Sequence, residues 1–484
     1  MASLRALMCL TSLLAASSSR AQEPELPPAP PEEELVAEGP AQDARTLSLA
    51  EAVDLAVRRN FALLASADSV QAARWNEGTA QAQFHPRLTP RYQKSDDQSL
   101  FALDASQRVP WLGGSLSATA GFRSTDQVGP APEGKSTDLR LALSQPLLRG
   151  FGPNTTYYDL RNARRQRQRQ ERAFEVQRQV LAVTVARTYY AVVRQRALMG
   201  VSRQSLRRTH GLREASEARM RVGLASKLDV FRAELQASQT EDALVQAQAN
   251  LDESKEAFRA LLGLPPGEPV EPAASLLPEA EIELAPLEVL VATALEHRPE
   301  LQEARDQIDD ARRTASLAKQ NLLPQLDLTV AVAKLGFGPS YGQSLDAGDT
   351  QVNVFLSTSY PLERSADRAN KAISELEVEA QRRALRQREQ DVEGEVRSAV
   401  RNIERIRKSG ELQTKSVEFA EQQLRLATLR YQRGLASNFD VVEAEGNLVT
   451  ARSALVGLLT DFQVARVQLL RVLGTLDVAK EFAS

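Results

Sequence analysis

The chain has 484 residues, longer than one ordinary core, and 60 Lys/Arg against 63 Asp/Glu leave a net charge of −3, which excludes a polyelectrolyte nucleic-acid binder. Aromatic residues supply only 5% of a chain that is 42% hydrophobic. That composition, rich in Ala, Leu, Val, Gln, Arg and Glu, belongs to long helices packed through small contacts.

At the N-terminus Arg5 precedes the apolar run "ALMCLTSLLAA", and Ser19 and Ala21 stand at the −3 and −1 positions of a cleavage site. Residues 1–21 are therefore predicted to be a secretory signal peptide. The single cysteine, Cys9, lies inside that run behind Met8; a lipid-attachment cysteine follows a small residue, so a lipid anchor is not expected. The mature chain then has neither disulfide nor thiol nucleophile. Residues 22–46 are Pro/Glu-rich and predict an extended leader. Beyond the signal no run approaches the roughly 18 apolar residues of a spanning helix. An exported chain of this kind is either soluble outside the inner membrane or spans a membrane as β-barrel.

The rest is written twice. "LAEAVDLAVRRNFALLASADSVQAARWNEGTAQAQFHPRL", from Leu49, matches "LEVLVATALEHRPELQEARDQIDDARRTASLAKQNLLPQL", from Leu287, at a constant offset of 238. "RVGLASKLDVFRAELQ", from Arg221, matches "QRGLASNFDVVEAEGN", from Gln432, at an offset of 211. The first copy therefore carries 27 additional residues, between Pro86 and Gln145. Two tandem units follow, 47–265 and 286–476, joined by a linker over 266–285.

Each unit predicts a short amphipathic helix (48–60 and 286–297) and a second (62–84 and 300–322) that stops before Pro86 or Pro324. Strands follow within 87–147, and at 325–335 and 350–360. Leu326, Leu328, Val330 and Val332, like Val352, Val354 and Leu356, alternate with polar neighbours; so do Leu116, Ala118, Ala120 and Phe122, and Leu139, Leu141 and Leu143. Long helices are predicted over 154–222 and 364–433; in the second, Val392, Val396, Ala399, Ile403 and Ile406 sit on the alternating 3/4 spacing of a coiled-coil seam. Return helices are predicted over 226–263 and 437–475.

The Gly-Leu-Ala-Ser motifs then mark hairpin tips. Gly223 and Gly434 suit the left-handed position that ends a helix, and Ser226 with Asp229, like Ser437 with Asp440, have capping-box spacing. Capping leaves Leu224 and Leu435, apolar residues at an exposed tip, without a structural reason.

The strands pose a closure problem. Four, or six if "LFALDASQRV" contributes, are too few for a spanning barrel, which needs about eight. If they span, several chains share one barrel; otherwise a periplasmic sheet caps a coiled-coil rod without a pore.

Catalytic chemistry is not expected. His85, His210 and His297 lack metal-ligand spacing, and there is no Walker A loop, so no cofactor, metal or enzymatic activity is predicted. The basic run Arg161 to Arg172 reads as a solvated helix face or an arginine-lined tunnel.

With "LSQPLLRGFG" (Leu143 to Gly152), "STSYPLERSADR", "VGLAS" and "RGLAS" in duplicated order, nearly the whole chain resembles the outer-membrane efflux proteins typified by TolC. The resemblance implies a mainly α fold with a small β part: long antiparallel coiled-coil helices and strand pairs, trimerising into a shared twelve-strand outer-membrane barrel, four strands per chain, above a periplasmic α-helical barrel. It implies a passive exit duct in a Gram-negative outer membrane. The partners would be an adaptor (membrane-fusion) protein, an inner-membrane pump of RND, ABC or MFS type, and outer-membrane lipid, with no nucleic acid. The family's adaptor-docking tip corresponds to Val222, Gly223 and Leu224, and to Gly434 and Leu435, although Arg433 replaces the second valine. Its acidic constriction at the periplasmic mouth corresponds to Asp440 and Glu443, six carboxylates in a trimer, whose mutual repulsion would raise their pKa values. A tyrosine of its gate network corresponds to Tyr431, while Ala436 stands where the network's arginine is expected.

Overall fold

The structure, a computed structural model, describes residues 45–125, 134–273 and 284–478. The predicted signal segment, the leader up to residue 44 and the middle of the 266–285 linker lie outside the described residues.

Both units are built in the same order. The first opens with β1 (Arg45–Leu47), α1 (Leu49–Arg59) and α2 (Phe61–Ala82), and the second with α6 (Leu287–His297) and α7 (Pro299–Gln320). Ser48 caps α1 in a full capping box with Glu51, and Pro299 at the first turn of α7 has no N–H to leave unsatisfied. The long helices are α4 (Tyr158–Arg221), preceded by a single turn α3 (Pro153–Thr156), and α9 (Ser365–Gln432). Their 64 and 68 residues span roughly 100 Å at 1.5 Å per residue. Each doubles back into a 35-residue helix, α5 (Lys227–Leu261) or α10 (Asn438–Val472). A short strand, β6 (Val270–Pro272), pairs in parallel with β1.

The predicted seam is where the second unit buries its apolar side: Val392, Val396, Ile403 and Ile406 close on Leu290, Ala294, Ala465 and Leu469. In the first unit Val185, Tyr189 and Phe258 form the equivalent core with Leu47 and Val53, and the Tyr189 hydroxyl donates to the Leu47 carbonyl at 3.2 Å. Contrary to expectation, one helix among the described residues, α10, is long and apolar enough by composition to cross a membrane. Its apolar positions are divided between α9 and α4: Leu448 and Ala451 pack with Ala420, and Val467 joins the core around Tyr189. A helix clasped on two sides needs apolar residues over more of its circumference than a one-sided helix.

The sheet departs from the four strands per chain that the resemblance implies. Six strands run in the order β2 (Arg87–Lys94), β3 (Gln98–Arg108), β4 (Ser115–Thr125), β5 (Gly134–Pro146), β7 (Gln325–Gly338) and β8 (Asp349–Ser359). Every neighbouring pair is antiparallel. A short helix α8 (Tyr341–Ala347) sits between β7 and β8. The β2–β3 hairpin accounts for the additional residues of the first copy, and "LFALDASQRV" is most of β3. The two units meet in this sheet, where Leu141 faces Val332 and Leu143 faces Val330 across β5 and β7.

The basic run on α4 is neither a bare solvated face nor a free arginine lining. Arg164 and Arg167 pair with Glu77 of α2 at 3.1 and 2.6 Å. On the other side Arg165 reaches Asp306 at 3.0 Å, Arg169 reaches Glu303 at 2.7 Å, and Arg172 reaches Glu303 at 2.8 Å. Those acids lie on α7, so the run fastens the first unit to the second. Partly buried networks with forked guanidinium contacts hold geometry better than single surface pairs do.

Candidate functional site

At the end of the helical body away from the sheet, the two Gly-Leu-Ala-Ser motifs form the hairpin tips. Gly223 and Gly434 both have φ of +74°, the left-handed geometry only glycine adopts without cost. The Leu224 amide donates to the Arg219 carbonyl and the Leu435 amide to the Arg430 carbonyl, each at 2.8 Å, closing the last turns of α4 and α9. The next helices start in full capping boxes. The Asp229 and Asp440 carboxylates accept from the Ser226 and Ser437 amides at 3.0 and 2.7 Å. They also accept from the serine hydroxyls at 2.7 and 2.8 Å. Those serine contacts hold both carboxyls below the usual aspartate range. Within one chain Asp440 is thus shifted opposite to the rise expected of a carboxylate ring, because the capping hydrogen bonds favour its charged form.

Capping leaves the apolar tip in water. Val222, Leu224 and Leu435 are each 69% exposed, an apolar rim left uncovered by the described residues. Asp440 and Glu443 are also exposed, one helical turn apart at the start of α10. Arg433, the position that departs from valine, is exposed beside Gly434.

Tyr431 is the buried member of the predicted set and the centre of a polar network. Its hydroxyl shares a 2.9 Å hydrogen bond with Ser216, and Arg219 stacks over its ring at 4.6 Å while donating to its backbone carbonyl. Asn438, 1% exposed, donates to Ser216 Oγ at 3.2 Å and to the Asp229 carbonyl at 2.8 Å. Two turns further on, Arg208 of α4 grips Glu445 of α10 in a bidentate pair at 2.7 and 2.8 Å. An arginine therefore does meet Tyr431, but from α4 of the first unit and not from position 436. Ser216, Arg219, Asn438, Arg208 and Glu445 were not singled out from sequence. The available signal was the difference between the copies: at the offset of 211, Tyr431 replaces Met220 and Asn438 replaces Lys227. An open groove of about 630 Å³ runs beside this network, lined by Thr209, Leu212, Leu424 and Val441 among others.

The histidines are not brought together into a site, and no group of three or more His, Cys, Asp or Glu placed to hold a metal occurs among the described residues.

The family model for "Outer membrane efflux protein" matches residues 52–264 and 290–475. The chain belongs to the outer membrane efflux protein family. It is 25% identical over 301 residues to the probable efflux pump outer membrane protein TtgC of Pseudomonas putida, covering 61% of this chain and 60% of that protein. It is 24% identical over 273 residues to nodulation protein T of Rhizobium leguminosarum bv. trifolii, over 53% and 55% of the two lengths. The matches thus span about three-fifths or less of these curated relatives. Among solved structures, the outer membrane protein VceC of Vibrio cholerae superposes with a TM-score of 0.68 at 19% identity, over 88% of this chain and 96% of that one. The MtrE outer membrane channel of Neisseria gonorrhoeae gives 0.66 at 18%, over 88% of each. The chain accordingly has the fold of the family, a sheet on a long helical body, and belongs to the outer membrane, extending into the periplasm.

Proposed function

We propose that three copies assemble into a passive exit duct of a tripartite efflux or type I secretion system, taking cargo from an inner-membrane pump through a periplasmic adaptor. The observation that carries this is the polarity of the long axis. One end is a sheet with an apolar face and two unpaired edges; the other, roughly 100 Å away along α4 and α9, ends in the exposed rim of Val222, Leu224 and Leu435. Apolar stripes along the flanks support assembly: Leu228, Phe231 and Leu235 on α5, and Leu412, Phe419 and Leu426 on α9, are all exposed at helical spacing.

In this reading Val222, Gly223, Leu224, Gly434 and Leu435 dock the adaptor's helical hairpin. Asp440 and Glu443 ring the periplasmic mouth and select for cations, while Tyr431, held by Ser216 and Arg219, fixes the inner tip that carries them. The same fold could serve as a rod without a pore, and conductance separates the two. Purified protein in a planar bilayer is expected to give cation-preferring channels whose selectivity falls in an Asp440→Asn, Glu443→Gln variant; absence of conductance at any pH or salt would overturn the duct. In cells Leu224→Asp is expected to abolish export while leaving the assembled protein in the outer membrane.

A further inference from the structure

Resting on the trimeric reading, we propose that the shared outer-membrane barrel has eighteen strands: each chain contributes its whole six-stranded sheet, and β2 of one copy hydrogen-bonds to β8 of the next. The β2–β3 hairpin is thereby a pore-wall element and not a periplasmic appendage.

The outer face supports this first. Strand register places Leu88, Pro90 and Tyr92 of β2 beside Ala105, Leu103 and Phe101 of β3, and these beside Ala118, Ala120 and Phe122 of β4. The stripe continues through Leu139, Leu141 and Leu143 of β5 and Leu328, Val330 and Val332 of β7 to Val352, Val354 and Leu356 of β8. A lipid-facing band requires that alternation in every strand, and the additional hairpin keeps it in phase with the rest. Tyr92, Phe101 and Phe122 form an aromatic row near one rim. At the other, Trp111 in the β3–β4 connection meets the Tyr157 ring edge-on, and Phe84 packs on the same ring at 5.1 Å. Two girdles bracketing an apolar band are the pattern of outer-membrane barrels.

The inner face binds the hairpin to the rest. Arg91 of β2 pairs with Asp104 of β3 at 2.5 Å, and Asp104 accepts from Thr119 of β4 at 3.0 Å. Removing β2 from the wall would strip Asp104 of its counter-charge.

The edges decide the partner. Among the described residues β2 is paired only on its β3 side and β8 only on its β7 side. A free edge cannot face lipid, because its N–H and C=O groups have no water to bind. Six strands is an even number, so β2 and β8 run in opposite directions, and joining them between copies keeps the barrel antiparallel throughout. Because barrel diameter grows roughly linearly with strand number, the outer pore would be about half again as wide as a twelve-stranded one. The helical body is not enlarged, since the additional residues contribute no helix there.

Disulfide trapping in the full-length protein tests this, because the thiols bond only when the Cα atoms approach within about 7 Å. Leu88→Cys or Tyr92→Cys on β2 is combined in turn with Val352→Cys, Val354→Cys and Leu356→Cys on β8. Mild oxidation in outer membranes is expected to give reducible dimers and trimers, while the single variants, controls for pairing through Cys9, do not. Ala118→Cys on β4 with the same β8 positions is expected to stay monomeric on the gel, being three strands away. Cross-linking of β4 to β8, or no β2–β8 bond in a protein that amine cross-linking shows to be trimeric, overturns the eighteen-strand barrel and leaves the duct standing. A protein that is not trimeric at all overturns both.

Discussion

The two tips share a backbone and differ in how they are held. Both turn at a glycine with φ of +74° and restart in a Ser-Asp capping box. At the first tip Met220 is half-buried, and Lys227 and Glu234 are exposed. The corresponding residues of the second copy are Tyr431, Asn438 and Glu445, all buried and bonded to α4 or α5. Duplication thus supplied one hairpin design, and a few substitutions turned one copy into the part that is fastened to its neighbour. The difference locates where the second hairpin could be released: at polar contacts with the first unit and not within its own turn.

The sharpest way to break the asymmetry is at Arg208. Arg208→Ala leaves the Glu445 carboxylate, only 4% exposed, without its bidentate partner. The loss is expected to reach about 3 kcal/mol, the range for uncompensated charge at a buried pair. Chemical unfolding followed by helical circular dichroism would measure it. Replacing Glu234, the first-copy equivalent, is expected to change stability by less than about 0.5 kcal/mol, as at other exposed surface positions. The double variant Arg208→Ala, Glu445→Ala should recover much of the loss, because no charge is then left buried. If the double variant is as unstable as the single one, packing and not charge fastens α10 to α4.

A smaller effect is expected at Tyr431. Tyr431→Phe keeps the ring beneath Arg219 and deletes the hydroxyl bonded to Ser216, a loss of about 1 kcal/mol for one hydrogen bond. If Tyr431 fixes the inner tip that carries Asp440 and Glu443, as proposed, the same substitution should lengthen the open time of single channels. Substitution of Met220 by Leu, which removes no polar contact, should leave open times unchanged; equal effects from both would place the release elsewhere.

Much of this was legible in the sequence, because it is written in local periodicity and stated twice. The helix order, the coiled-coil seam, the turning glycines and both capping boxes follow from spacing within a few residues. What spacing could not give is pairing between distant elements. Arg164 and Arg167 read as a charged face until Glu77 of α2 is brought beside them, and Arg169 until Glu303 of α7 is. Arg219 reaches Tyr431 across 212 positions, a contact between helices that no local spacing around Tyr431 encodes. The additional hairpin was visible as surplus length. Only the register of β2 and β3 shows that its apolar residues face the same side as those of β4.

The capping boxes supply the finest test, since here the copies should behave alike. Ser226→Ala removes a hydroxyl that both donates to Asp229 and accepts from its amide, at an expected cost of about 1 kcal/mol. Ser437→Ala should act in the same direction. Both aspartates are held low in the folded chain by these serines. A depressed carboxylate pKa adds stability that is fully present above the unfolded value and is lost as pH falls through the folded one. Between pH 7 and pH 5 the wild-type tips should therefore show no change, with loss only below the ordinary aspartate range. In each alanine variant this acid loss should become smaller, because the folded carboxyl returns toward its unfolded value and folding then depends less on its ionisation. An acid loss reduced for Ser226→Ala but not for Ser437→Ala would show that Asp440 answers to something beyond its own cap. The carboxylates of neighbouring copies in the assembled mouth would be that influence, and they would push it in the opposite direction.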